Sequence, residues 1–494
     1  MPKHTHFTRI VTAAIATATA VVCVALSAPN LSLRTTPDGA QGGSNPPWFP
    51  SLMAFEHYDS GRTKLFEQAH FTGSFAHNKA VDVRISPDVY PTPYNVVYLS
   101  GDSLFVFGGA YGDEPGGTGS FVARVDPKTL RTVWFNQLIN TDETNEWNYP
   151  GVLSALQDGF LYLIYGYRLA KLDPRDGTVL GQVELPTLAA PRDTSYNGLS
   201  GFPDGTLVAK SVYREAGCEE QGFNAFTKCP NPTDVPNSVV VAINPRTLEI
   251  IDKAVAPQFV GGRITATEFE NRSYVYLTGQ TSVFRYIYED RQLTLDTSWN
   301  PGTVVLKGQT GPTAVAVMND WVAFETNALP AATLLSVIAI NQADASRQLS
   351  TQPFPVLPSG KSLSPSAVSV DPLRNRILAL DGAAGQIAAL ELRDDGLHTV
   401  WSARQRTTEF LALIGPAPRR VLVGTDVPPG QQIGANTQDW VVWRNADTGD
   451  ELARSPLLPA VNAGTMVEPG YAGRMYFLAQ SGKILELTVR PPGQ

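Results

Sequence analysis

A short turn motif recurs along this chain and constrains its fold more than any other feature. The segment Asp126–Leu130 (DPKTL) returns as Asp173–Gly177 (DPRDG) and as Asn244–Leu248 (NPRTL), and looser copies begin at Asn341 and Asn445. Each copy lies between two short apolar runs. A turn motif that returns about every 50 residues is typical of a β-propeller, in which each repeat forms one blade.

Apolar hairpins precede the turn motifs and supply the other strands of each repeat. The clearest are Val96–Phe107, Val152–Tyr165 and Leu199–Lys210, and the last two turn at Asp-Gly, a strong hairpin signal. Weaker copies lie at 265–278, 314–325, 367–380, 410–424 and 465–479. Pairing each hairpin with the two strands after it gives four strands per repeat. The pattern predicts an all-β protein with one propeller of eight four-stranded blades; a miscounted terminal copy would leave seven.

The last repeat, which ends at Lys483–Val489, is one strand short. Lys79–Ile85 lies ahead of the first hairpin and can supply the missing strand. Closing the ring in this way removes sheet edges that would otherwise invite aggregation. The propeller is therefore predicted over residues 79–494.

The N-terminus has the pattern of an export signal. Lys3 and Arg9 precede an apolar, Ala-rich stretch that ends near Ala28, which predicts a signal peptide over residues 1–28. An uncleaved membrane anchor is the alternative, because the stretch is about long enough to span a bilayer. Residues 29–78 are predicted to be a linker and N-terminal extension. The expected location is extracellular, cell-surface or periplasmic.

Two cysteines lie beyond the signal, Cys218 and Cys229. They flank one loop in a stretch at about 211–237 that exceeds the repeat length. In an exported chain, a disulfide is the default for such a pair. A metal or redox pair is the alternative, but no histidine lies nearby and the spacing is not CxxC. We therefore predict a disulfide-bearing insertion.

The repeat resembles that of the quinoprotein-like (PQQ-repeat-like) β-propeller superfamily. Ala123, Asp126 and Thr129 followed by Trp134 match its repeat, and Asp447–Gly449 matches part of another copy. The resemblance implies the fold, in which the repeat turns a strand and docks neighbouring blades. Quinone-dependent dehydrogenases of this superfamily hold the quinone under a disulfide between adjacent cysteines and bind calcium beside a catalytic Asp. No adjacent cysteines exist in this chain.

Ligands of propellers usually lie at one end of the central channel, where loops join each outer strand to the next inner strand. Several polar and aromatic residues fall in these predicted loops. We predict a ligand-binding face formed by Tyr94, Glu146, Trp147, Tyr149, Arg192, Tyr196, Arg263 and Glu409. The alternative is that the aromatic residues pack the rim and that the arginines form surface ion pairs.

Candidate metal sites are weak in this sequence. The oxygen-rich segment Thr141–Asn148 suits calcium by ligand type, although it lacks the EF-hand spacing. His57, His70 and His77 lie close together in sequence, but no pattern of carboxylates accompanies them. We predict no cofactor and no metal centre, with calcium at 141–148 left open.

Two functions remain open from the sequence. The first is an exported, non-catalytic propeller that binds a small molecule, glycan or protein on its channel face. The second is an enzyme, either a quinoprotein-like oxidoreductase or a metal-assisted hydrolase or lyase that uses residues at the channel mouth. The net charge of −8 and the lack of a basic patch argue against nucleic acid as a partner. A membrane would be involved only through an uncleaved signal anchor.

Overall fold

The computed structural model describes residues 46–76, 80–109, 119–328, 333–355, 367–407, 409–433, 436–462 and 464–491. The predicted signal peptide lies outside these ranges, as do His77 and Lys79. Among the described residues, no helix is both long and apolar enough to cross a membrane.

Eight four-stranded antiparallel sheets form an eight-bladed β-propeller, as predicted. From the innermost strand outwards, blade 1 contains Pro93–Ser100, Ser103–Gly108, Phe121–Val125 and Thr132–Gln137; blade 2 contains Val152–Ala155, Leu161–Tyr165, Arg168–Leu172 and Val179–Glu184; blade 3 contains Thr194–Gly201, Leu207–Tyr213, Val239–Asn244 and Glu249–Val255; blade 4 contains Ile264–Phe269, Arg272–Thr278, Val283–Glu289 and Gln292–Leu295. Blade 5 contains Ala316–Met318, Trp321–Glu325, Val337–Asn341 and Gln348–Thr351; blade 6 contains Ser369–Asp371, Arg376–Asp381, Gln386–Arg393 and Gly396–Arg404; blade 7 contains Ala412–Ile414, Val421–Asp426, Gln438–Asn445 and Glu451–Arg454; blade 8 contains Glu468–Pro469, Arg474–Leu478, Ile484–Val489 and Val81–Ile85.

Blade 8 closes the ring. Its outermost strand is Val81–Ile85, which pairs antiparallel with Ile484–Val489. The N-terminal part of the chain therefore completes a blade whose other three strands come from the C-terminus. The predicted closure is confirmed.

The remaining elements are short. Leu65–Phe66 pairs in parallel with the inner strand of blade 7, and Leu458–Pro459 pairs with the start of Gln438–Asn445. One α-helical turn lies at Thr141–Thr144. Single 3-10 turns lie at Pro191–Asp193, Gly222–Phe226, Pro372–Arg374, Ala417–Arg419 and Tyr471–Gly473.

Burial explains the apolar runs of the sequence. All residues of Leu161–Tyr165, the second strand of blade 2, are buried, because neighbouring blades cover both of its faces. The outer strand Thr132–Gln137 instead alternates between half-buried and exposed positions. The apolar core thus lies between the blades and decreases towards the outer wall.

The recurring Gly and Trp of the repeat dock one blade on the next. Gly177 has φ +78°, and a Cβ atom there would lie 2.7 Å from the ring of Trp134 in the preceding blade. Gly449 and Trp401 form the same contact between blades 7 and 6. Glycine is needed at both turns because it tolerates positive φ and leaves room for the ring. The structure confirms the docking role that the resemblance implied.

Candidate functional site

The N-terminal segment lies inside the propeller. Residues 47–67, called the clasp below, run along the inner strands within the central channel. Their backbone carbonyl groups accept hydrogen bonds from inner-strand amides of six blades. These bonds join Met53 to Tyr98, Ala54 to Ala155, Ser60 to Ala266, Gly61 to Val317, Thr63 to Val370 and Lys64 to Leu413. The clasp thus satisfies backbone groups that the inner edges of the sheets leave unpaired.

A buried charge network fixes the apex of the clasp. Glu56 accepts a hydrogen bond from Arg62 at 2.8 Å and another from Arg263 at 2.9 Å. Arg263 directly precedes the inner strand of blade 4 and also donates to the hydroxyl of Tyr94 at 2.6 Å. Its other terminal nitrogen donates to the carbonyls of Pro150 and Asn197. Arg263 therefore ties the Glu56 carboxylate of the clasp to the first four blades of the ring.

Arg62 uses its whole guanidinium group within the clasp network. It donates to the carbonyls of Ile264 and Leu199 as well as to Glu56. A buried guanidinium with this many partners is held in one geometry and acts as a structural link.

Other titratable groups of the clasp are also shielded from water. Lys64 donates to the carbonyl of Val368 at 2.7 Å, and burial, followed by the charge of Arg62, lowers the pKa of Lys64 to about 7. Burial and the charge of Lys64 likewise lower the pKa of His57 well below its usual value. Buried bases resist protonation because their charged forms lose hydration.

We call the end of the channel at which the inner strands begin the upper face. The predicted ligand-binding residues do not converge there: Tyr94 and Arg263 form a pair, four residues surround the insertion, and Tyr196 and Glu409 each lie apart. Tyr94 and Arg263 belong to the buried network of the clasp. Tyr196 is fully buried, and its hydroxyl donates to the carbonyl of Pro186. Glu409, on the other side of the ring, accepts the amide hydrogen of Thr465 at 2.7 Å.

The remaining four, Glu146, Trp147, Tyr149 and Arg192, surround the insertion. The insertion comprises residues 214–238 and joins the second and third strands of blade 3 on the upper face. Trp147 is fully buried, and its indole nitrogen donates to the carbonyl of Gly222 in the insertion at 3.1 Å. Glu146 forms a two-point ion pair with Arg168, at 2.6 and 2.9 Å. Arg192 keeps a mostly exposed side chain, 57% accessible.

A disulfide and a buried ion pair hold the insertion. Cys218 and Cys229 are bonded, as predicted, with their Cα atoms 5.9 Å apart. Arg214 pairs with buried Asp193 at 2.8 Å and donates to the carbonyl of Glu220. The Arg214–Asp193 pair docks the insertion on the connection between blades 2 and 3, and the Trp147–Gly222 hydrogen bond docks it on the connection between blades 1 and 2.

Four aromatic side chains that are only partly buried meet beside the insertion. The ring of Phe226 lies 5.1 Å from Tyr149, 5.9 Å from Phe223 and 6.1 Å from Phe259. Sequence reasoning identified Tyr149 but missed the three phenylalanines. The pair Phe223 and Phe226 inside the disulfide loop was the available signal, because large apolar residues in a short exposed loop need a partner.

The candidate metal ligands do not converge. Asp142 and Glu143 are exposed on the helical turn, whereas Glu146 is paired with Arg168. Among the residues that the structure describes, no three His, Cys, Asp or Glu side chains are placed to hold a metal ion. The expectation of no cofactor and no metal centre, with calcium at residues 141–148 left open, remains a prediction.

Structural comparison is informative where sequence comparison is not. No family model matches the chain, and no curated protein matches it. The quinohemoprotein alcohol dehydrogenase of Comamonas testosteroni superposes with a TM-score of 0.57 and 12% identity, over 91% of this chain and 81% of that one. Alcohol dehydrogenase ADHIIG of Pseudomonas putida HK5 gives a TM-score of 0.53 and 11% identity over the same shares. This chain has the fold of the quinoprotein-like β-propellers.

The described residues of this propeller do not fit a quinone held under adjacent cysteines. Cys218 and Cys229 are 11 positions apart and bonded to each other in the insertion. The clasp, with its apex at Glu56 and His57, lies in the central channel. We therefore derive no chemistry through a quinone.

Proposed function

We propose that this quinoprotein-like propeller is an exported, non-catalytic binding protein whose ligand contacts the upper face beside the insertion. The observation that carries the proposal is the aromatic group Tyr149, Phe223, Phe226 and Phe259. A disulfide-anchored loop fixes it at the channel rim. Partly exposed aromatic rings on a rigid support favour binding, because little conformational entropy is lost when a ligand covers them.

Arg192 adds a charge to this surface. Its backbone carbonyl accepts the amide hydrogen of Trp147 at 2.7 Å, which anchors its backbone, and its exposed guanidinium lies 3.7 Å from the Asp193 carboxylate. An exposed arginine on the same face as the aromatic group suits a small molecule, glycan or protein segment that combines an apolar face with an anionic group. Of the other predicted residues, Glu146 and Trp147 would support this surface from below, whereas Tyr94, Tyr196, Arg263 and Glu409 are buried elsewhere in the ring.

Export is supported by two observations. The N-terminal sequence has the pattern of a signal peptide, and the disulfide requires an oxidising compartment.

The test is a screen of the purified protein against glycan and peptide libraries, followed by substitution. Phe226→Ala and Arg192→Ala should each weaken a hit at least tenfold, about 1.4 kcal/mol. Arg175→Ala is the matched control, because this exposed arginine lies on the lower face. Hits whose affinity neither Phe226→Ala nor Arg192→Ala changes would place the functional surface elsewhere.

A further inference from the structure

Exposed apolar side chains concentrate on one sector of the outer wall. Of the twelve large hydrophobic residues recorded as exposed among the described residues, six lie on the outer strands or adjoining turns of blades 8, 1 and 2. They are 39–64% exposed. These six are Ile85, Val89, Val133, Phe135, Val179 and Leu180. We call this sector the apolar wall.

Hydrogen bonds join the three blades of the apolar wall beside its exposed apolar residues. Asp88 accepts the backbone and hydroxyl hydrogens of Thr132 at 2.7 and 2.9 Å, so Val89 and Val133, which follow these residues, are neighbours. The ring of Phe135 stacks on Phe121 at 4.9 Å.

Blade 2 is joined to blade 1 in the same way. Asn136 donates to the carbonyl of Gly177 at 2.7 Å, two residues before Val179. Blades 8, 1 and 2 therefore present one surface.

The equivalent outer strands of other blades are mostly polar where they are exposed. Glutamine, threonine, serine or charged residues occupy most of these positions, and Val255 in blade 3 and Val400 in blade 6 are the exposed apolar exceptions. The polar residues are Glu249 and Lys253 in blade 3, Gln292 and Thr294 in blade 4, Gln348 and Ser350 in blade 5, and Ser402 and Arg404 in blade 6. Polar residues of this kind protect an outer edge from pairing with another chain. The apolar wall departs from this protection at Val133 and Phe135.

Strand Thr132–Gln137 is complementary to itself. When two copies lie antiparallel about a two-fold axis at Trp134, Val133 of one copy faces Phe135 of the other. The same axis places Arg131 opposite Gln137, so no like charges meet along the strand. A surface that matches itself under a two-fold rotation is the requirement for a symmetric dimer.

Charge supports the same arrangement. Exposed Lys128 and Arg131 lie at the lower end of this strand, and exposed Asp142 and Glu143 follow its upper end. The antiparallel arrangement brings the basic end of each copy towards the acidic end of the other. Charges placed in this way favour one orientation of a complex.

We infer that the apolar wall of blades 8, 1 and 2 is the contact surface for a second copy of this chain. The contact is an isologous, antiparallel packing of the two walls, centred on Val133 and Phe135. The inference does not depend on the proposed ligand-binding function of the upper face.

Sedimentation velocity of the protein purified from an exporting host, from nanomolar to high micromolar concentration, tests this inference. We expect a monomer–dimer equilibrium that Phe135→Lys weakens at least tenfold. Val133→Lys should act in the same way, and it guards against a folding defect caused by loss of the ring that stacks on Phe121. Val255→Lys is the matched control, since Val255 is similarly exposed on the outer strand of blade 3.

A charge swap tests the orientation. Arg131→Glu and Glu143→Lys should each weaken the dimer, and combining them should restore it. A monomer at every concentration would overturn the inference. So would a dimer that tolerates both lysine substitutions in the wall, or one that Val255→Lys disrupts equally. Binding of the wall to anionic phospholipid vesicles without dimer formation would assign it to a membrane and overturn it as well.

Discussion

The clasp and the insertion both lie outside the repeat, but they are held in opposite ways. The clasp follows the inner edges of the sheets and bonds through its backbone to six blades. The insertion docks on the connection between blades 1 and 2 through the Trp147–Gly222 hydrogen bond, and on the connection between blades 2 and 3 through the Arg214–Asp193 pair. A segment bonded to most of the ring opens only when the ring opens, whereas a locally docked segment can open alone.

The difference extends to charge burial. The clasp places Glu56, Arg62 and Lys64 in the channel, where water cannot replace a lost partner. The insertion keeps most of its polar side chains at least partly exposed and relies on a covalent bond. We therefore expect changes in the clasp to reduce global stability and changes in the insertion to act locally.

The largest effect is expected from Arg62→Ala. The substitution leaves the carbonyls of Ile264 and Leu199 without this donor and deprives Glu56 of one of its two arginines. Breaking a buried ion pair by removing one partner costs about 3–5 kcal/mol. Chemical denaturation should show a loss of this size in the free energy of unfolding of the whole propeller.

Arg214→Ala is the matched control for this comparison. It also removes a buried arginine that is paired at 2.8 Å, but the pair docks the insertion. We expect a smaller global loss, with faster amide hydrogen exchange confined to residues near the insertion. Equal global losses for the two variants would show that the insertion is as tightly coupled to the ring as the clasp.

The blades could be predicted from the sequence because each repeat contains the sequence signals for its own strands and turns. Asp-Pro turns, Asp-Gly hairpins and continuous apolar runs act within about 50 residues, and a Trp that docks on a Gly repeats with them. Strand Val81–Ile85 could be inferred because the last repeat was one strand short. These signals either act within one repeat or follow from counting the strands in each repeat.

The clasp could not be predicted in this way. The clasp has no strand periodicity, since its carbonyls at Met53, Ala54, Ser60, Gly61, Thr63 and Lys64 each bond to a different blade. Arg62 and Arg263 are 201 positions apart, yet both bind Glu56. Only the closed ring brings them together. The phenylalanines of the insertion were missed for a similar reason, because their partner Tyr149 comes from another blade.

A pH-dependent test distinguishes the clasp from the rest of the ring. The pKa of Lys64 falls from an ordinary value near 10.5 to about 7 in the folded protein. Between these values the folded state binds fewer protons than the unfolded state, so this group adds stability as pH rises from about 7 and loses it as pH falls. Lys64→Met should remove this dependence.

The measurement is the difference in unfolding free energy between the parent and Lys64→Met at pH 7 to 9. The unfolding free energy of the parent should increase relative to that of Lys64→Met as pH rises, by at most about 1.4 kcal/mol per pH unit. Lys128→Met, at an exposed lysine on the lower face, is the control and should show no such trend. A constant difference for Lys64→Met would mean that the Lys64 amine is solvated in the folded state.

The smallest global effect is expected from Cys218→Ser. A disulfide across 11 positions would contribute about 3 kcal/mol if the loop unfolded together with the ring. The docked insertion can instead open by itself, so the loss should appear as faster hydrogen exchange in residues 214–238. The global unfolding free energy should change by less than about 1 kcal/mol. Mass spectrometry of the unreduced parent should find the two cysteine peptides linked. A loss of the full ~3 kcal/mol, with faster hydrogen exchange throughout the blades, would contradict this expectation. It would show that the insertion unfolds together with the ring, as the clasp is expected to do.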